Sequence, residues 1–338
     1  MRLRGFIGEL GIRMSMLGRV PRRVSSALRV AALRTRGHEI GKSVRIGTSK
    51  IQGRSVQVGE GCVIGDNVLI QGDEILIGPH VEIQDDVRIQ TRRIAIGDET
   101  LIESGVTIGG LETPKSSVTI GSNCVVLHRS FLNSTYPLSI EDDVGIGGYC
   151  MIFTHGLWQS AFEGYPVTFG PVTIRKGAWL PWHVFVMPGV EIGEGATIGA
   201  GSVVLHSVPA RSMAVGAPAR VIRGPPEYPK AMTKKDLEDL LRRLLSDFAE
   251  HLAFKGLRTR LELNDASFRL ITSQGELNYG VSEPKKDDIQ ILFTGPPKGS
   301  FWVNPLTREW HLDLSLPLHS ETRGFIRRAG VRLRPRTR

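Results

Sequence analysis

A six-residue repeat runs from Ile40 to about Pro209 and restricts the fold more than any other feature of the chain. Each unit opens with an aliphatic residue followed by glycine or a small or acidic residue, as in IGKSVR, IGDNVL, IGDETL and IGEGAT. A fixed period of six is typical of a parallel β-helix, in which every unit forms a short strand and a turn and three units close one coil. Neither the period of an α-helix nor the alternation of an open sheet produces this pattern.

The residue choices within the repeat agree with that fold. The leading Ile, Val or Leu of each unit is expected to point inward and stack in ladders, while glycine or a polar residue in second place rounds the corner. About eight coils are predicted, because stacked neighbours rather than single coils bury the apolar ladders. Spacings of seven residues between Ile70 and Ile77 and between Ile89 and Ile96 predict one-residue bulges at corners.

The repeat covers about half of the 338 residues, so a second domain is expected after it. We predict a basic amphipathic segment at residues 1–37, the β-helix at 38–223, a linker at 224–232, and a small α+β domain with a basic tail at 233–338. Nine arginines fall in residues 1–37 and seven in residues 323–338, so the excess positive charge lies at the two ends. Neither end carries a nucleic-acid-binding motif or aromatic platforms, and nucleic acid is not an expected partner.

The N-terminal segment has a helical pattern that fits two roles. Its apolar positions are Val24, Leu28, Ala31 and Ala32, and its arginines recur at Arg22, Arg29 and Arg36. No uninterrupted apolar run is long enough to span a bilayer, so the segment is expected either to lie on an anionic membrane surface or to cap the open first coil. Arginines also interrupt every candidate core of a signal peptide.

The three cysteines, Cys62, Cys124 and Cys150, fall inside repeat units and form no cluster with metal-ligand spacing. This usage indicates a reducing compartment. We predict a cytoplasmic protein, with peripheral contact to the inner face of the membrane through the basic N terminus as a further option. No metal is expected.

Three interruptions of the repeat are the expected places for function, because loops on a rigid scaffold are free to serve chemistry. They span residues 109–117, 128–139 and 154–171. The third is an 18-residue loop, too long for a scaffold turn, and His155 stands at its entrance. An imidazole group titrates near neutrality and can take the proton of an attacking hydroxyl, so His155 is the candidate general base.

Residues 140–223 carry motifs beyond the generic repeat. They are Phe153-Thr154-His155-Gly156, Pro171-Val172-Thr173-Ile174, Ala178-Trp179-Leu180, Ile198-Gly199-Ala200-Gly201-Ser202-Val203-Val204 and Gly216-Ala217-Pro218-Ala219-Arg220-Val221-Ile222-Arg223. With these segments the chain resembles the hexapeptide-repeat acyltransferases, most closely the maltose, galactoside and xenobiotic O-acetyltransferases. The resemblance implies an all-β, left-handed parallel β-helix and an enzyme that transfers an acetyl group from acetyl-CoA.

The resemblance also implies roles for individual residues. It makes His155 the catalytic base of a direct transfer, in which backbone N–H groups stabilise the oxyanion and no acyl-enzyme forms. It places acetyl-CoA on Trp179, Ala200, Gly201, Ser202, Arg220 and Arg223, with the two arginines available for the nucleotide phosphates. It implies a homotrimer, because the donor groove of such enzymes lies between adjacent subunits, and a sugar or glycan as the acceptor.

The chain departs from the family's pattern in three places. Leu205 and His206 replace the usual Thr-Lys, so His206 or Arg211 becomes the substitute for one phosphate contact. Bulky residues replace small ones within residues 180–184. Leu127 falls at the position of the family's acceptor-orienting Asn, and the neighbouring His128 is a second candidate on the acceptor side.

The last hundred residues predict a separate small module. Thr233 and Asp236 form a capping box for a helix that runs to about Phe254 and ends at Gly256. Its apolar stripe comprises Leu237, Leu240, Leu241, Leu244, Leu245, Phe248 and Leu252. Strands are expected at residues 257–263, 268–272, 289–294 and 301–314, the last interrupted by Pro305, followed by a short helix near residues 321–329.

The leading hypothesis is an acetyl-CoA-dependent O-acetyltransferase that modifies a sugar hydroxyl in surface polysaccharide biosynthesis. N-acylation of an amino sugar or a xenobiotic is the closest alternative, because the same base and donor serve an amine. A γ-carbonic-anhydrase-like enzyme shares the repeat but needs two histidines a few residues apart, and those of this repeat lie more than twenty residues apart. A non-catalytic β-helix scaffold is the remaining alternative.

Overall fold

The computed structural model describes residues 22–156 and 159–263, then the stretches 268–272, 275–279, 289–291, 301–304, 309–311, 324–326 and 334–335, with Leu318 and Thr322. The chain divides into two compact units, residues 1–229 and 230–338, and this boundary lies inside the stretch predicted as a linker. The first unit is a parallel β-solenoid of about nine turns, which confirms the parallel β-helix predicted from the repeat.

The solenoid has three faces, each a parallel sheet that takes one strand from successive coils. Face A contains Glu39–Ile40, Ser55–Val58, Glu74–Ile77, Arg93–Ile96, Ser117–Ile120, Leu138–Ile140, Val172–Ile174 and Glu191–Ile192. Face B contains Arg45–Ile46, Val63–Ile64, Glu82–Ile83, Leu101–Ile102, Val125–Val126, Gly145–Ile146, Trp179–Leu180, Thr197–Ile198 and Met213–Gly216, followed by the antiparallel strand Ala219–Arg223. Face C contains Lys50–Gln52, Leu69–Gln71, Arg88–Gln90, Thr107–Gly109, Phe131–Asn133, Met151–Ile152, Phe185–Val186 and Val203–Val204.

Strand pairing places each leading aliphatic residue above its counterpart in the previous coil. On face A, Ile40 pairs with Val58, Val58 with Ile77, and Ile77 with Ile96. Their side chains are buried in one continuous core cluster. The coils from Val58 to Ile96 advance by 19 residues, and the extra residue lies at the turn from face C to face A, here called the C–A edge. The ladder therefore continues through the predicted seven-residue spacings.

The turns use two positions of the repeat for different reasons. The residue in fourth place adopts a left-handed conformation, as in Asn67 (φ 55°) and Asp86 (φ 61°). Glycine in second place avoids a clash, since a Cβ on Gly147 would lie 2.5–2.8 Å from backbone atoms of Pro181 and Trp182 in the next coil. The sequence interpretation gave the corner to the second position, but the left-handed residue that turns the chain lies two places later.

At five places along the solenoid, a small polar residue in fifth place hydrogen-bonds one coil to the next. The donor and acceptor pairs are Cys62 with Gly78 (3.0 Å), Thr100 with Gly121 (2.8 Å), Cys124 with Glu141 (3.0 Å), Ser130 with Gly147 (2.8 Å) and Cys150 with Pro181 (2.9 Å), the acceptor being a backbone carbonyl in each. Burial raises the pKa of the Cys62 thiol and raises that of Cys150 to about 11. The cysteines are therefore structural donors.

Helix α1, Arg22–Thr35, packs against the first coil. Ser26 Oγ accepts a hydrogen bond from the backbone N–H of Ile46 at 2.9 Å, and the Arg34 guanidinium donates to the carbonyl of Ile40 at 2.8 Å. These side chains satisfy backbone groups at the end of the described solenoid, where an unpaired strand would otherwise be exposed. The described part of the N-terminal segment therefore caps the solenoid, one of its two expected roles.

The buried side of α1 differs from the predicted apolar stripe. Val30 and Leu33 are buried in the solenoid core. Leu28, Ala31 and Ala32 face solvent, and the side chain of Val24 lies outside the described residues. The capping hydrogen bonds hold the helix with its serine and arginine side inward, which rotates the predicted stripe outward. Within the described residues, no helix is both long and apolar enough to cross a bilayer.

The second unit begins with helix α2, Lys234–Phe254, and its N-cap confirms the predicted capping box. Thr233 Oγ1 accepts from the backbone N–H of Asp236 at 3.2 Å, and the Asp236 carboxylate accepts from the backbone N–H of Thr233 at 2.9 Å. Hydrogen bonds from Thr233, followed by one from Lys230, lower the pKa of Asp236 to about 2. From the predicted stripe, Leu241, Leu245, Phe248 and Leu252 are buried.

The sheet of this unit contains, among the described residues, the strands Thr259–Leu263, Phe268–Thr272, Gly275–Tyr279, Ile289–Ile291, Phe301–Asn304, Glu309–His311 and Arg334–Pro335. The strand Gly275–Tyr279 was not predicted, because its Gly, Glu and Asn have low strand propensity. The stretch predicted at 301–314 with an interruption at Pro305 contains two antiparallel strands, one on each side of that proline. Thr322 and residues 324–326 are helical, within the predicted last helix.

Candidate active site

The longest interruption of the solenoid lies between Ile140 and Ile174, which pair on neighbouring coils although they are 34 residues apart. The chain leaves the C–A edge after Thr154, and a short antiparallel ribbon closes the base of the loop by pairing His155 with Phe169. The backbone N–H of Gly170 donates to the carbonyl of Thr154 at 3.0 Å. This ribbon fixes the backbone of His155 at the entrance of the loop.

Asn133, one coil earlier on the same edge, contacts the His155 ring. Its Oδ1 lies 3.0 Å from His155 Nδ1. The same oxygen accepts from the Thr154 hydroxyl at 2.6 Å and from the backbone N–H of Thr135 at 3.2 Å. Asn133 is 1% exposed, so these hydrogen bonds form away from solvent.

These contacts settle the tautomer of the His155 ring. A backbone N–H can only donate, so the Asn133 atom beside Thr135 must be the amide oxygen rather than the nitrogen. An oxygen acceptor 3.0 Å away requires a proton on His155 Nδ1 when the ring is neutral. The Nε2 lone pair is therefore available to take a proton, as a general base requires.

One aromatic ring packs against the imidazole, and a second packs behind it. The ring of Phe169 stacks on His155, with centroids 5.9 Å apart and planes 21° from parallel. Tyr136 packs against Phe169 at 5.3 Å, and Lys115 Nζ lies 4.9 Å from the centroid of Tyr136. These rings restrict the orientation of His155 and leave the ring half-buried.

Sequence reasoning missed Asn133: it found no counterpart of the family's acceptor-orienting Asn, with Leu127 falling at that position. In the structure Asn133 contacts the His155 ring, whereas the backbone N–H of Leu127 donates to the carbonyl of Ile146 on face B. One signal was present in the sequence. Asn133 lies inside the second interruption, residues 128–139, where a polar residue ends a strand just before the coil of His155.

The second candidate, His128, lies at the turn from face B to face C, here called the B–C edge. Its Nδ1 is 3.0 Å from Oε2 of Glu103, which also accepts from the His128 backbone N–H at 3.1 Å. Tyr149 and Trp182 pack edge-on to the ring, with centroids 5.4 and 4.9 Å away. His128 is therefore oriented as firmly as His155, but on another edge of the solenoid.

The residues predicted to bind acetyl-CoA lie on face B and the B–C edge. Trp179 begins a face B strand and packs over Gly145, while Ala200 and Gly201 are exposed at the B–C edge. Arg220 and Arg223 are exposed on the antiparallel strand that ends face B. Ser202 is fully buried, and its hydroxyl accepts from the backbone N–H of Gly216 at 3.0 Å.

One chain does not bring the predicted base and the predicted donor residues together. In a three-faced solenoid the C–A edge, with His155, is opposite face B, which carries Trp179, Arg220 and Arg223. Within the described part of the chain, no three His, Cys, Asp or Glu side chains converge as metal ligands would. The arrangement has a base with a defined tautomer and, on the far side, an exposed basic surface.

Comparisons with known proteins give matches to the hexapeptide repeat and to acetyltransferases. The family model for the hexapeptide repeat of succinyl-transferase matches residues 184–206. A Staphylococcus aureus (strain Mu50) protein named as an acetyltransferase is 52% identical over 61 residues, which cover 18% of this chain and 30% of that protein. The galactoside O-acetyltransferase of Escherichia coli (strain K12) is 32% identical over 110 residues, which cover 32% of this chain and 54% of that protein.

Among solved structures, a polySia-specific acetyltransferase aligns with a TM-score of 0.43 and 20% identity, covering 63% of this chain and 91% of its own. The sequence matches confirm the resemblance to hexapeptide-repeat acyltransferases. The chain spans between about a third and about half of the length of these two curated relatives.

Proposed function

We propose that the protein is an acetyl-CoA-dependent O-acetyltransferase that modifies a sugar hydroxyl, with His155 as the general base. The observation that carries the proposal is the hydrogen bond between His155 Nδ1 and Asn133 Oδ1, which leaves Nε2 as a base. The similarity of parts of the chain to acetyltransferases supports acetyl-CoA as the donor. A surface polysaccharide assembled at the cytoplasmic side of the membrane is the proposed setting of the reaction.

The reaction follows from these groups. Nε2 of His155 takes the hydroxyl proton as the sugar oxygen attacks the thioester carbonyl, and the tetrahedral oxyanion collapses with release of the CoA thiolate. The imidazolium then returns the proton to the thiolate, which leaves a neutral ring and a free thiol. The proton on His155 Nδ1 stays hydrogen-bonded to Asn133 Oδ1 throughout, so the ring keeps its orientation while its charge changes.

Acetyl-CoA is proposed to lie on face B and the B–C edge. Ala200 and Gly201 present little side-chain volume there, so an extended pantetheine arm can follow the coils. Arg220 and Arg223 are exposed and can meet phosphate groups with charge-assisted hydrogen bonds. Ser202 is buried and is proposed to hold Gly216, at the end of the strand that pairs with the strand carrying these arginines.

The test is His155→Ala with His128→Ala as its matched control. Transfer is measured as free CoA thiol released from acetyl-CoA, with glucose and glucosamine as paired hydroxyl and amine acceptors. His155→Ala is expected to lose about 10²-fold or more in kcat with acetyl-CoA affinity unchanged, because base assistance is typically worth ~10²–10⁴-fold. His128→Ala is expected to stay within a few fold of the parent.

Two results would reverse the assignment. If His155→Ala keeps nearly full activity and His128→Ala loses it, the general base is His128, oriented by Glu103. Faster release with glucosamine than with glucose, caused by acetylation of the amine, makes the enzyme an N-acetyltransferase.

A further inference from the structure

A groove of about 450 Å³ runs along the C–A edge of the first five coils. Each of the first three coils contributes three consecutive lining residues, which are Gln52, Gly53 and Arg54, then Gln71, Gly72 and Asp73, then Gln90, Thr91 and Arg92. Residues 107–112, Ser116, Phe131 and Ser134 line the rest. Five stacked strands span about 19 Å at ~4.8 Å per coil, which is longer than a single sugar ring.

The groove leads to the candidate base. Its last lining residue, Ser134, follows Asn133 directly, and Asn133 holds the His155 ring from the preceding coil. The next coil along the same edge carries Thr154 and His155. A ligand that lies in the groove therefore points its end toward His155.

A ladder of three glutamines lies along the groove. Gln52 pairs in register with Gln71, and Gln71 with Gln90, so the same amide recurs once per coil. Gln90 Nε2 donates to Gln71 Oε1 at 3.3 Å. A primary amide has two N–H donors and two acceptor lone pairs, so the ladder keeps several positions for a ligand. Equal groups at equal spacing fit a ligand that itself repeats.

The charges of the groove balance one another. Asp73 lies between two arginines, with Arg54 at 3.2 Å and Arg92 at 2.8 Å. The hydrogen bond from Arg92, with the nearby charges of both arginines, lowers the pKa of Asp73. Glu112 adds a second carboxylate to the lining. Two arginines and two carboxylates give the groove little net charge, which favours a neutral ligand over a strongly anionic one.

Two groove-lining hydroxyls lack a protein partner. Thr91 is 7% exposed and Ser134 is fully buried, and neither Oγ forms a hydrogen bond within the described residues. A buried hydroxyl without a partner costs free energy. Both hydroxyl oxygens are themselves buried, so they lie beneath the groove surface and out of direct reach of a ligand in the groove.

The geometry points to this groove as the binding site of a neutral oligosaccharide chain, which lies along the glutamine ladder and presents a hydroxyl near its end to His155. The inference rests on the proposed function and deepens it by naming the acceptor class, a neutral glycan longer than one sugar. Hydrogen bonds from the ladder and from Arg54 and Arg92 would hold successive sugar units.

The experiment separates binding from transfer. Binding of neutral pentasaccharides of glucose (β-1,4 and α-1,4) and of galactose (β-1,4) is measured by calorimetry on His155→Ala, with glucose and galactose as short references. At least one pentasaccharide is expected to bind about tenfold or more tightly than its monosaccharide. Adding Gln52→Ala, Gln71→Ala and Gln90→Ala should weaken that binding about tenfold, which corresponds to the loss of one to two hydrogen bonds.

Gln57→Ala, an exposed glutamine on face A, is the matched control and should leave binding unchanged. Thermal unfolding checks that the triple variant is folded. If the triple variant does not fold, Gln71→Trp takes its place, because one large side chain at an exposed position blocks the groove. In a protein that keeps His155, the three glutamine substitutions should raise the KM for the pentasaccharide about tenfold. The KM for the monosaccharide should stay unchanged.

The two proposals fail in different ways. Transfer that depends on His155 but not on chain length or on the ladder overturns the groove and leaves the acetyltransferase. Ladder-dependent binding without transfer to any acceptor keeps the groove and overturns the proposed function. A triple variant that unfolds at lower temperature yet binds the pentasaccharide like its parent shows that the ladder only stabilises the coils. If every pentasaccharide binds with the same affinity as its monosaccharide, the inference that the groove binds an oligosaccharide is also wrong.

Discussion

At the scale of single residues, the proposed chemistry depends on one amide oxygen. Asn133 Oδ1 accepts from His155, Thr154 and Thr135, so one buried side chain sets both the position of the imidazole and its tautomer. His155 could be predicted from the sequence because it opens a loop that breaks a strict period. Asn133 could not, because the contact joins residues 22 positions apart, and only the coil length shows that they meet.

Asn133→Ala is expected to lower kcat about 10- to 100-fold while the KM for acetyl-CoA stays unchanged, because the base remains but its orientation is lost. Asn133→Asp should recover a large part of this loss, since a carboxylate still accepts from His155 and Thr154. Initial rates of CoA release measure both variants. Equal defects in the two variants would mean that the residue only stabilises the fold.

The cysteines give a second prediction at this scale. Cys62, Cys124 and Cys150 are 0% exposed, and a pKa of about 11 for Cys150 leaves about one thiolate in a thousand at pH 8. A thiol reagent should therefore modify none of the three quickly in the folded protein and all of them in guanidinium. Rapid loss of activity on alkylation of the native protein would contradict this and imply a reactive thiol.

At the scale of elements, the strands were predictable and helix α1 was only partly so. The leading aliphatic residues repeat every six positions, so the inward-facing ladders of side chains can be predicted directly from the sequence. For α1 the apolar pattern predicted the wrong buried side, because Ser26 and Arg34 bind carbonyl and amide groups of the first coil. An amphipathic pattern identifies a buried helix side by its apolar residues, so it does not show that a polar residue faces the solenoid to hydrogen-bond with a strand end.

The prediction for this element is that Arg34→Met lowers the unfolding temperature by several degrees, because three hydrogen bonds to the carbonyls of Ile40 and Gly41 are lost. Arg36→Met removes an exposed arginine one residue beyond the end of α1 and should change little. Differential scanning calorimetry compares the two, and CoA release should be equal in both. Unequal liposome binding with equal stability would favour the membrane role of the segment.

At the scale of the whole molecule, we predict a homotrimer in which each site combines two chains. His155 and the predicted donor residues lie on opposite sides of one solenoid, so a neighbouring chain must supply one of the two sets. Sedimentation should give a species about three times the 37.2 kDa chain. A fully active monomer would contradict the prediction.

Mixed trimers test the same prediction more directly. His155→Ala chains and Arg220→Ala/Arg223→Ala chains are each expected to be nearly inactive alone. Co-expressed, they should recover part of the parent activity, because some sites then receive an intact base from one chain and intact arginines from the other. No recovery in isolated mixed trimers would place both halves of the site in one chain.

The 19-residue step of the early coils has a consequence for engineering. Ser55 and Glu74 occupy equivalent places in successive coils, so excision of residues 55–73 would join Arg54 to Glu74 with every ladder still in register. The shortened chain would keep its catalytic end and lose one rung of the groove. If acceptors lie along the coils, the number of coils acts as a molecular ruler, and the excised protein should prefer a glycan about one sugar unit shorter.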